Sequence, residues 1–307
     1  MTTSQIHSPG TLHQSWEFEL AQSGIVVGVD GSPESIAAFN TAAGIARTRR
    51  CLLHVISVIP PFPTYHLNPG SSDSRSNVDA LRLQLRNSSL ETMMKAGDAE
   101  QDWTHEVAIG RPAKLIARIA EQRGADLIVV GRRPHGLMDR IADAETTLQV
   151  MRLSGIPVLA VSADYEVAHN IVVATDFSVA SARAATAAIE LMGKSGTVYL
   201  VHVEPPVELL PEGFAVVGED QFAGDIAAAF RRFVEALKAP PGVIVETTVL
   251  NGKPVPAILE FAERVGAGMI VAGSHSHSRM ERFFLGSVST GLARRASCPV
   301  MVASAGV

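Results

Sequence analysis

The sequence predicts an α/β protein built from two tandem, doubly wound, five-stranded parallel-sheet domains. Three observations predict it. The chain has 307 residues, about twice the ~150 residues of an ordinary domain. Short apolar, β-branched runs alternate with segments of helical period, the pattern of βαβ units whose strands are covered on both faces. The same blocks then recur 142 residues further on, from Gly110 to Gly252, from Gly131 to Gly273 and from Pro157 to Pro299, so one domain has been duplicated.

Copy one reads as strands near 24–30, 50–58, 103–109, 126–131 and 157–162, and copy two near 170–175, 197–204, 243–250, 268–273 and 299–304. The first strands, Ile25-Val26-Val27-Gly28-Val29-Asp30-Gly31-Ser32 and Ile171-Val172-Val173-Ala174-Thr175-Asp176-Phe177-Ser178, match each other, and Leu53-His54-Val55 is matched to Val201-His202-Val203. Ser32 before Pro33 marks a helix start with a hydroxyl cap and proline at the first helical position, and Ser178 caps the equivalent helix. Gly110-Arg111-Pro112 and Gly252-Lys253-Pro254 open a further helix in each copy. Amphipathic helices are expected over 78–96 and 222–238, after Pro/Gly-rich connections at 60–72 and 205–218, and residues 162–168 read as a tight inter-domain linker. The expected organisation is an N-terminal extension over 1–21, a first domain over 22–163 and a second over 167–305.

Composition excludes several classes. At 47% hydrophobic and 19% charged residues the chain is not a disordered polymer. A net charge of -5, with no basic run interleaved with aromatics, removes the electrostatic drive for nucleic-acid binding. Two cysteines, Cys51 and Cys298, lie too far apart in sequence for a C-x-x-C site and read as small buried side chains in a reducing compartment. No signal-like or membrane-spanning apolar stretch is evident, so a cytoplasmic location and no membrane partner are expected.

In a doubly wound sheet, ligands sit beyond the carboxyl ends of the strands where the strand order reverses, which points to the loops after the first and fourth strands. These hold Asp30-Gly31-Ser32 and Gly131-Arg132-Arg133 in copy one, and Asp176-Phe177-Ser178 and Gly273-Ser274-His275-Ser276 in copy two. In copy two Gly286-Ser287 can begin a helix, whose amides and positive end, with the hydroxyls of Ser287 and Ser289, have the chemistry of an anion cradle.

These residues resemble the universal stress protein family in its tandem form. The resemblance is carried by VGVDGS and VATDFS, LLHV and LVHV, G-R-P and G-K-P, DLIVVG and GMIVAG, and IPVLAV and CPVMVA, and it covers nearly the whole chain beyond the extension. It implies Rossmann-like domains. Members that bind ATP carry G-x2-G-x9-G-[ST] after the fourth strand. Copy two offers Gly273, Ser276 in place of the second glycine, and Gly286-Ser287. By that resemblance Asp176, the backbone near Ala174 and Thr175, and Val203 hold adenine and ribose, with Ala272 and Gly273 beside them. His275, Ser276, Gly286, Ser287, Val288 and Ser289 hold the phosphates of ATP, with or without magnesium. A serine Cβ at 276 lowers triphosphate affinity if the backbone there needs glycine. Copy one has Pro134, Ala144 and Glu145 at the later motif positions and reads as a packing partner that has lost the nucleotide.

Other residues carry two readings. Asp176 is either a ribose anchor or a strand-end carboxylate that caps the next helix, as its twin Asp30 suggests. His275 and His277 read as a solvated loop rather than a metal site. His54 and His202 read as a repeated packing pair satisfied by backbone. Arg132 and Arg133 read as solvated charge, with Arg132 a candidate anion contact, and the leucines and methionines of 81–94 read as core. No nucleophile–base pair is legible from spacing. The expected function is therefore a stress-response module that binds an adenine nucleotide in its second domain without efficient catalysis. Its partners are its own second domain and a second copy as a homodimer. The alternative is a nucleotide-free dimeric scaffold using the apolar closing strands as pairing edges.

Overall fold

The computed structural model describes residues 24–60, 103–132, 143–162, 169–193, 195–204, 219–274 and 285–304. The expected helix over 78–96, most of both Pro/Gly-rich connections, the core of the linker, Arg133, Pro134 and the loop carrying His275, Ser276 and His277 lie outside these residues. In chain order the strands are β1 (Gly24–Gly28), β2 (Leu53–Ile59), β3 (Trp103–Ile109), β4 (Ala125–Gly131), β5 (Val158–Val161), β6 (Asn170–Ala174), β7 (Gly196–Glu204), β8 (Val243–Asn251), β9 (Met269–Gly273) and β10 (Val300–Ala303). The helices are α1 (Pro33–Arg49), α2 (Pro112–Gln122), α3 (Asp143–Leu153), α4 (Val179–Met192), α5 (Glu219–Leu237), α6 (Pro254–Arg264) and α7 (Ser287–Arg295).

All ten strands form one sheet, in the order β3-β2-β1-β4-β5-β10-β9-β6-β7-β8. Neighbours are parallel within each half. The halves meet at an antiparallel pair, with Val300 opposite Ala160, Met301 opposite Leu159 and Val302 opposite Val158. Each half is thus a doubly wound five-stranded unit whose order reverses between its first and fourth strands, β1 and β4 or β6 and β9.

The period of two along each strand sends alternate side chains into two separate cores. Ile25 and Val27 enter one core and Val26 the other, as Ile171 and Val173 do against Val172, all fully buried. Each such side chain contributes about 1.5–3 kcal/mol by leaving water. Helices α1, α4 and α5 cover one face, and α2, α3, α6 and α7 the other. Both cores run through both halves, because the β5–β10 pair makes the faces continuous.

Helix starts follow the sequence expectation. Ser32 Oγ accepts from the Ser35 amide and Ser178 Oγ from the Ser181 amide, each at 3.2 Å, and Pro33 and Pro254 open α1 and α6. α5 matches the helix expected over 222–238. Gly131 and Gly273 both answer to packing at the strand ends. A Cβ on Gly131 would lie 2.7 Å from the Glu34 carbonyl carbon, and one on Gly273 would lie 2.6 Å from the Ser181 amide nitrogen. Glycine lets the first turn of α1 or α4 close onto the strand end.

Two expectations are corrected. Val26 pairs with His54 in the first half, whereas Val172 pairs with Tyr199 in the second. Because Val26 and Val172 are equivalent, His54 corresponds to Tyr199 and His202 to Ser57, so the two histidines are not a repeated pair. The short L-x-H-V match was three residues out of register, an odd shift that moves a side chain to the opposite face of the sheet. His54 is buried, and its Nδ1 hydrogen-bonds the Thr104 hydroxyl rather than backbone. His202 Nδ1 donates to the Thr175 carbonyl at 2.9 Å.

The second correction concerns Arg132. It is 6% exposed rather than solvated. Its guanidinium crosses into the other half, donating from Nη1 to the carbonyls of Ala296 (2.9 Å) and Ala293 (3.4 Å) and from Nη2 to that of Cys298 (3.0 Å). A cation at the carbonyl end of α7 complements the helix dipole. Cys51 is buried and Cys298 half-buried, both as free thiols, and burial pushes each thiol pKa up. Among the described residues, no helix is long and apolar enough to cross a membrane.

Gly131→Ala and Gly273→Ala should each cost about 1–3 kcal/mol, because the intruding Cβ meets backbone that cannot retreat. Urea unfolding measures the loss, and wild-type midpoints would refute the close-packing account. Burial, with Arg123 nearby and Glu106 opposing, holds His54 below its ordinary pKa of 6.5. The unfolded chain therefore binds more protons than the folded one as pH drops below about 6.5, and stability falls with it. His54→Gln should flatten the change in urea midpoint between neutral and mildly acid pH, whereas an unchanged slope would assign the acid sensitivity to other groups.

Candidate functional site

In the second half, the reversal between β6 and β9 opens a cavity of about 210 Å³ at the carboxyl ends of the strands. Ten of the twelve residues singled out in the sequence meet there: Ala174, Thr175 and Asp176 at the end of β6, Val203 on β7, Ala272 and Gly273 ending β9, and Gly286, Ser287, Val288 and Ser289 at the start of α7. The other two, His275 and Ser276, lie outside the described residues. The walls also include Val201, His202, Pro254 and Ile258, which the sequence reading did not assign to the site. Pro254 and Ile258 stand on the α6 start that the repeat had already marked, and an apolar wall one helical turn long was the signal available.

Each polar group is held by a local device. Asp176 Oδ1 accepts from the Ser178 amide at 3.1 Å, an Asx turn that fixes the capping serine rather than capping α4 directly. Asp30 makes the same bond to Ser32 at 2.9 Å. The shared bond accounts for the aspartate in both copies, while the exposed Asp176 carboxylate still faces the cavity mouth. Thr175 Oγ1 accepts from the Phe177 amide at 2.9 Å. Phe177 has φ +61, where its twin is Gly31 with φ +88. A phenylalanine in that conformation is costly, and it is held by aromatic packing: its ring lies 4.9 Å from His202 and 4.9 Å, edge-on, from Phe230. That cluster holds the imidazole of His202 on the face of the sheet covered by α4 and α5, opposite Val201 and Val203.

The anion end differs from the sequence expectation in one respect. The Ser289 hydroxyl donates to the Gly273 carbonyl at 2.7 Å and is 2% exposed. Thr147 does the same to Gly131 at 2.9 Å, so this hydroxyl ties the helix to the strand end in both halves. What faces the cavity at α7 is its N-terminal turn. Gly286 is the cap residue and has no side chain to cap the turn, and the exposed Ser287 stands in the first position. Amides of such a turn are suited to anionic oxygens. Among the described residues no group of three or more His, Cys, Asp or Glu side chains could hold a metal.

Arg132 belongs to this site indirectly, since it grips the C-terminal end of the helix whose N-terminal turn forms the anion end. Its position after Gly131 fastens that helix to the end of β4 in the other half.

A doubly wound sheet with a cavity at the reversal and a helix N-terminus on its rim defines a class of α/β domain, here in two fused copies. The family model described as the universal stress protein family matches the chain twice, over residues 24–162 and 168–304. The chain belongs to that family. It is similar to a universal stress protein of Mycolicibacterium smegmatis, 27% identical over 293 residues that cover 91% of this chain and 96% of the relative. A Mycobacterium tuberculosis universal stress protein is 28% identical over 310 residues, covering 91% and 94%. The crystal structure of a universal stress protein from Archaeoglobus fulgidus shares the fold with a TM-score of 0.65 at 20% identity, covering 92% of this chain and 98% of that one.

Arg132→Met keeps the stem and removes every donor, leaving three carbonyl contacts unmade. The expected loss is about 1.5–3 kcal/mol, the scale for hydrogen bonds to a charged group, with faster amide exchange concentrated in the last turn of α7. Exchange that is unaltered there while the rest of the protein loosens would show that Arg132 does not anchor this helix.

Proposed function

We propose that the second domain binds an adenine nucleotide, ATP with or without magnesium, and that occupancy tunes the association of the protein without efficient turnover. The observation that carries this reading is the division of the cavity into two chemically distinct ends. Val203, Ile258 and Ala272 give an apolar slot of the kind a purine fills, and Asp176 stands where ribose hydroxyls would donate to it. The N-terminal turn of α7 faces outward with the amides that phosphate oxygens need. The described walls enclose about 210 Å³, less than the ~300–1,000 Å³ usual for a whole ligand pocket. The nucleoside therefore occupies the cavity and the phosphates run out along α7. Ser289 contributes its backbone rather than its hydroxyl.

Low turnover follows from the same geometry. Of the described lining residues only Asp176 and His202 can titrate. His202 Nδ1 is engaged by Thr175, and Asp176 sits at the ribose end, away from the phosphates. In this reading the protein acts in the cytoplasm as a regulatory module of the stress response.

ATP should raise the melting temperature in a saturable way, with about 2.7 kcal/mol of added stability at a hundredfold excess over Kd. Ser287→Asp places a carboxylate at the phosphate end, and the response to ATP should fall by about tenfold or more in affinity, a cost near 1.4 kcal/mol, while the ligand-free melting temperature stays put. A flat wild-type melting curve at millimolar ATP would defeat the reading.

A further inference from the structure

The closing strands β5 and β10, which the sequence offered as pairing edges for a second copy, are taken up by each other. Among the described residues the sheet therefore ends on two other edges, β3 and β8. Soluble proteins ordinarily blunt such an edge with proline, lysine, a bulge or a very short strand. β8 uses none of these. It is nine residues long, Val243-Ile244-Val245-Glu246-Thr247-Thr248-Val249-Leu250-Asn251, with a single charge, and it keeps an unbroken register with β7 from end to end. Two of its apolar side chains stand in solvent, Ile244 at 60% and Val249 at 41% exposure.

The ladder to β7 fixes which backbone groups face outward. The Gly252 amide donates to the Glu204 carbonyl and the Gly196 amide to the Gly242 carbonyl, so the even-numbered residues of this stretch bond to β7. By the period of two, Val243, Val245, Thr247, Val249 and Asn251 turn their N–H and C=O groups away from the sheet. An antiparallel copy of β8 centred on Thr247 meets every one of them, with Val245 facing Val249 and Val243 facing Asn251. Glu246 then lies opposite Thr248 and Ile244 opposite Leu250, so no like charges meet. Centring on Glu246 instead would oppose two carboxylates, which is destabilising. β3 has no equivalent solution: its full-length self-pairing over Trp103–Ile109 centres on Glu106 and opposes that carboxylate to its own copy.

The surroundings of β8 suit the same arrangement. Phe230 and Val234 of α5 border an open groove beside Thr247 and Val249, and the exposed Arg231 and Glu235 stand on its lip one helical turn apart. A two-fold axis through Thr247 brings a second α5 alongside in the opposite direction, which sets unlike charges against each other. The joint between the two halves of the chain is built in the same way, as an antiparallel pair of edge strands that makes both cores continuous.

We propose that β8 is the surface through which the protein pairs with a second copy of itself, antiparallel about Thr247, so that one sheet runs through both molecules. Such an interface is isologous and closes at two copies. It deepens the association named in the proposed function and rests on that clause alone, not on the nucleotide.

Light scattering on the full chain after size exclusion, with and without ATP, tests it. The protein should run at twice the mass of one chain. Thr247→Pro removes an outward N–H at the two-fold while sparing the ladder to β7, and should leave monomers. Should that variant fail to fold, Thr248 decides. Thr248→Glu places a carboxylate opposite Glu246 at two symmetric positions and should weaken the dimer about tenfold, whereas Thr248→Lys should tighten it. A purely structural role for Thr248 would not give opposite signs. Monomers at every concentration up to the millimolar range, with or without ATP, would overturn the proposal. So would a dimer indifferent to all three variants, or open-ended chains of molecules joined β3 to β8. A β8-dependent dimer whose melting temperature ignores ATP would defeat the nucleotide reading and leave this one standing. A saturable ATP response in a protein that stays monomeric would do the reverse.

Discussion

The reversal of strand order between the first and fourth strand of each half is the constraint from which the rest of the molecule follows. A parallel sheet needs a crossover for every strand, and covering both faces with helices requires the chain to wind outward in two directions from one starting strand. At the starting point the two crossovers leave in opposite directions, and among the described residues a cavity lies between them. Asp30 and Asp176, Gly131 and Gly273 all stand at that crevice because they end the strands that flank it. The glycines let a helix close one side tightly, and the hydroxyls of Thr147 and Ser289 tie down the helix on the other. The cavities are a consequence of topology before they are a consequence of any ligand.

Duplication then allowed the two crevices to diverge while the scaffold stayed the same. Caps, turns and strand-end ties recur in both halves at nearly equal distances, which shows that they answer to the fold. The copies differ at Glu34 against Ala180, at Val130 against Ala272, and in the residues that open α3 against those that open α7. A residue shared by both copies is explained by packing, and a residue that differs is where a difference in ligand chemistry can reside. By this criterion Asp176 is a turn-former first, whatever else it does, and Ser287 is the more informative position.

The two halves are also asymmetric in how they are held together. The β5–β10 pair is nearly symmetric, joining the closing strands and merging both cores. Arg132 is not, since its equivalent position is Ser274, whose amide simply pairs with the Ala303 carbonyl at 2.7 Å. A buried guanidinium is costly to desolvate, and its three carbonyl partners tie one specific helix, α7, to the first half. That helix carries the anion end of the second cavity, so the position of the rim is set partly from outside its own domain.

Most of the fold was legible in the sequence because it rests on patterns with a fixed period. Strand and helix limits, the capping serines, the helix-opening prolines and the residues around β6, β9 and α7 all follow from repeat blocks and local backbone chemistry. The register of β2 against β7 was not legible, because an apolar strand offers several near-equal alignments and only the ladder to β1 or β6 selects one. The roles of Arg132, Ser289 and the two strand-end glycines were not legible either. Each depends on a partner distant in the chain or on the approach of a backbone, and hydrogen-bond partners across space leave no trace in spacing. The sequence by itself determined a duplicated, doubly wound α/β chain and the loops where ligands could sit. Only the tertiary structure decided that the described residues leave a cavity at each reversal, which hydroxyls are already engaged, and that a buried arginine of one half holds the helix of the other, because burial and donor–acceptor geometry exist only once the chain has closed.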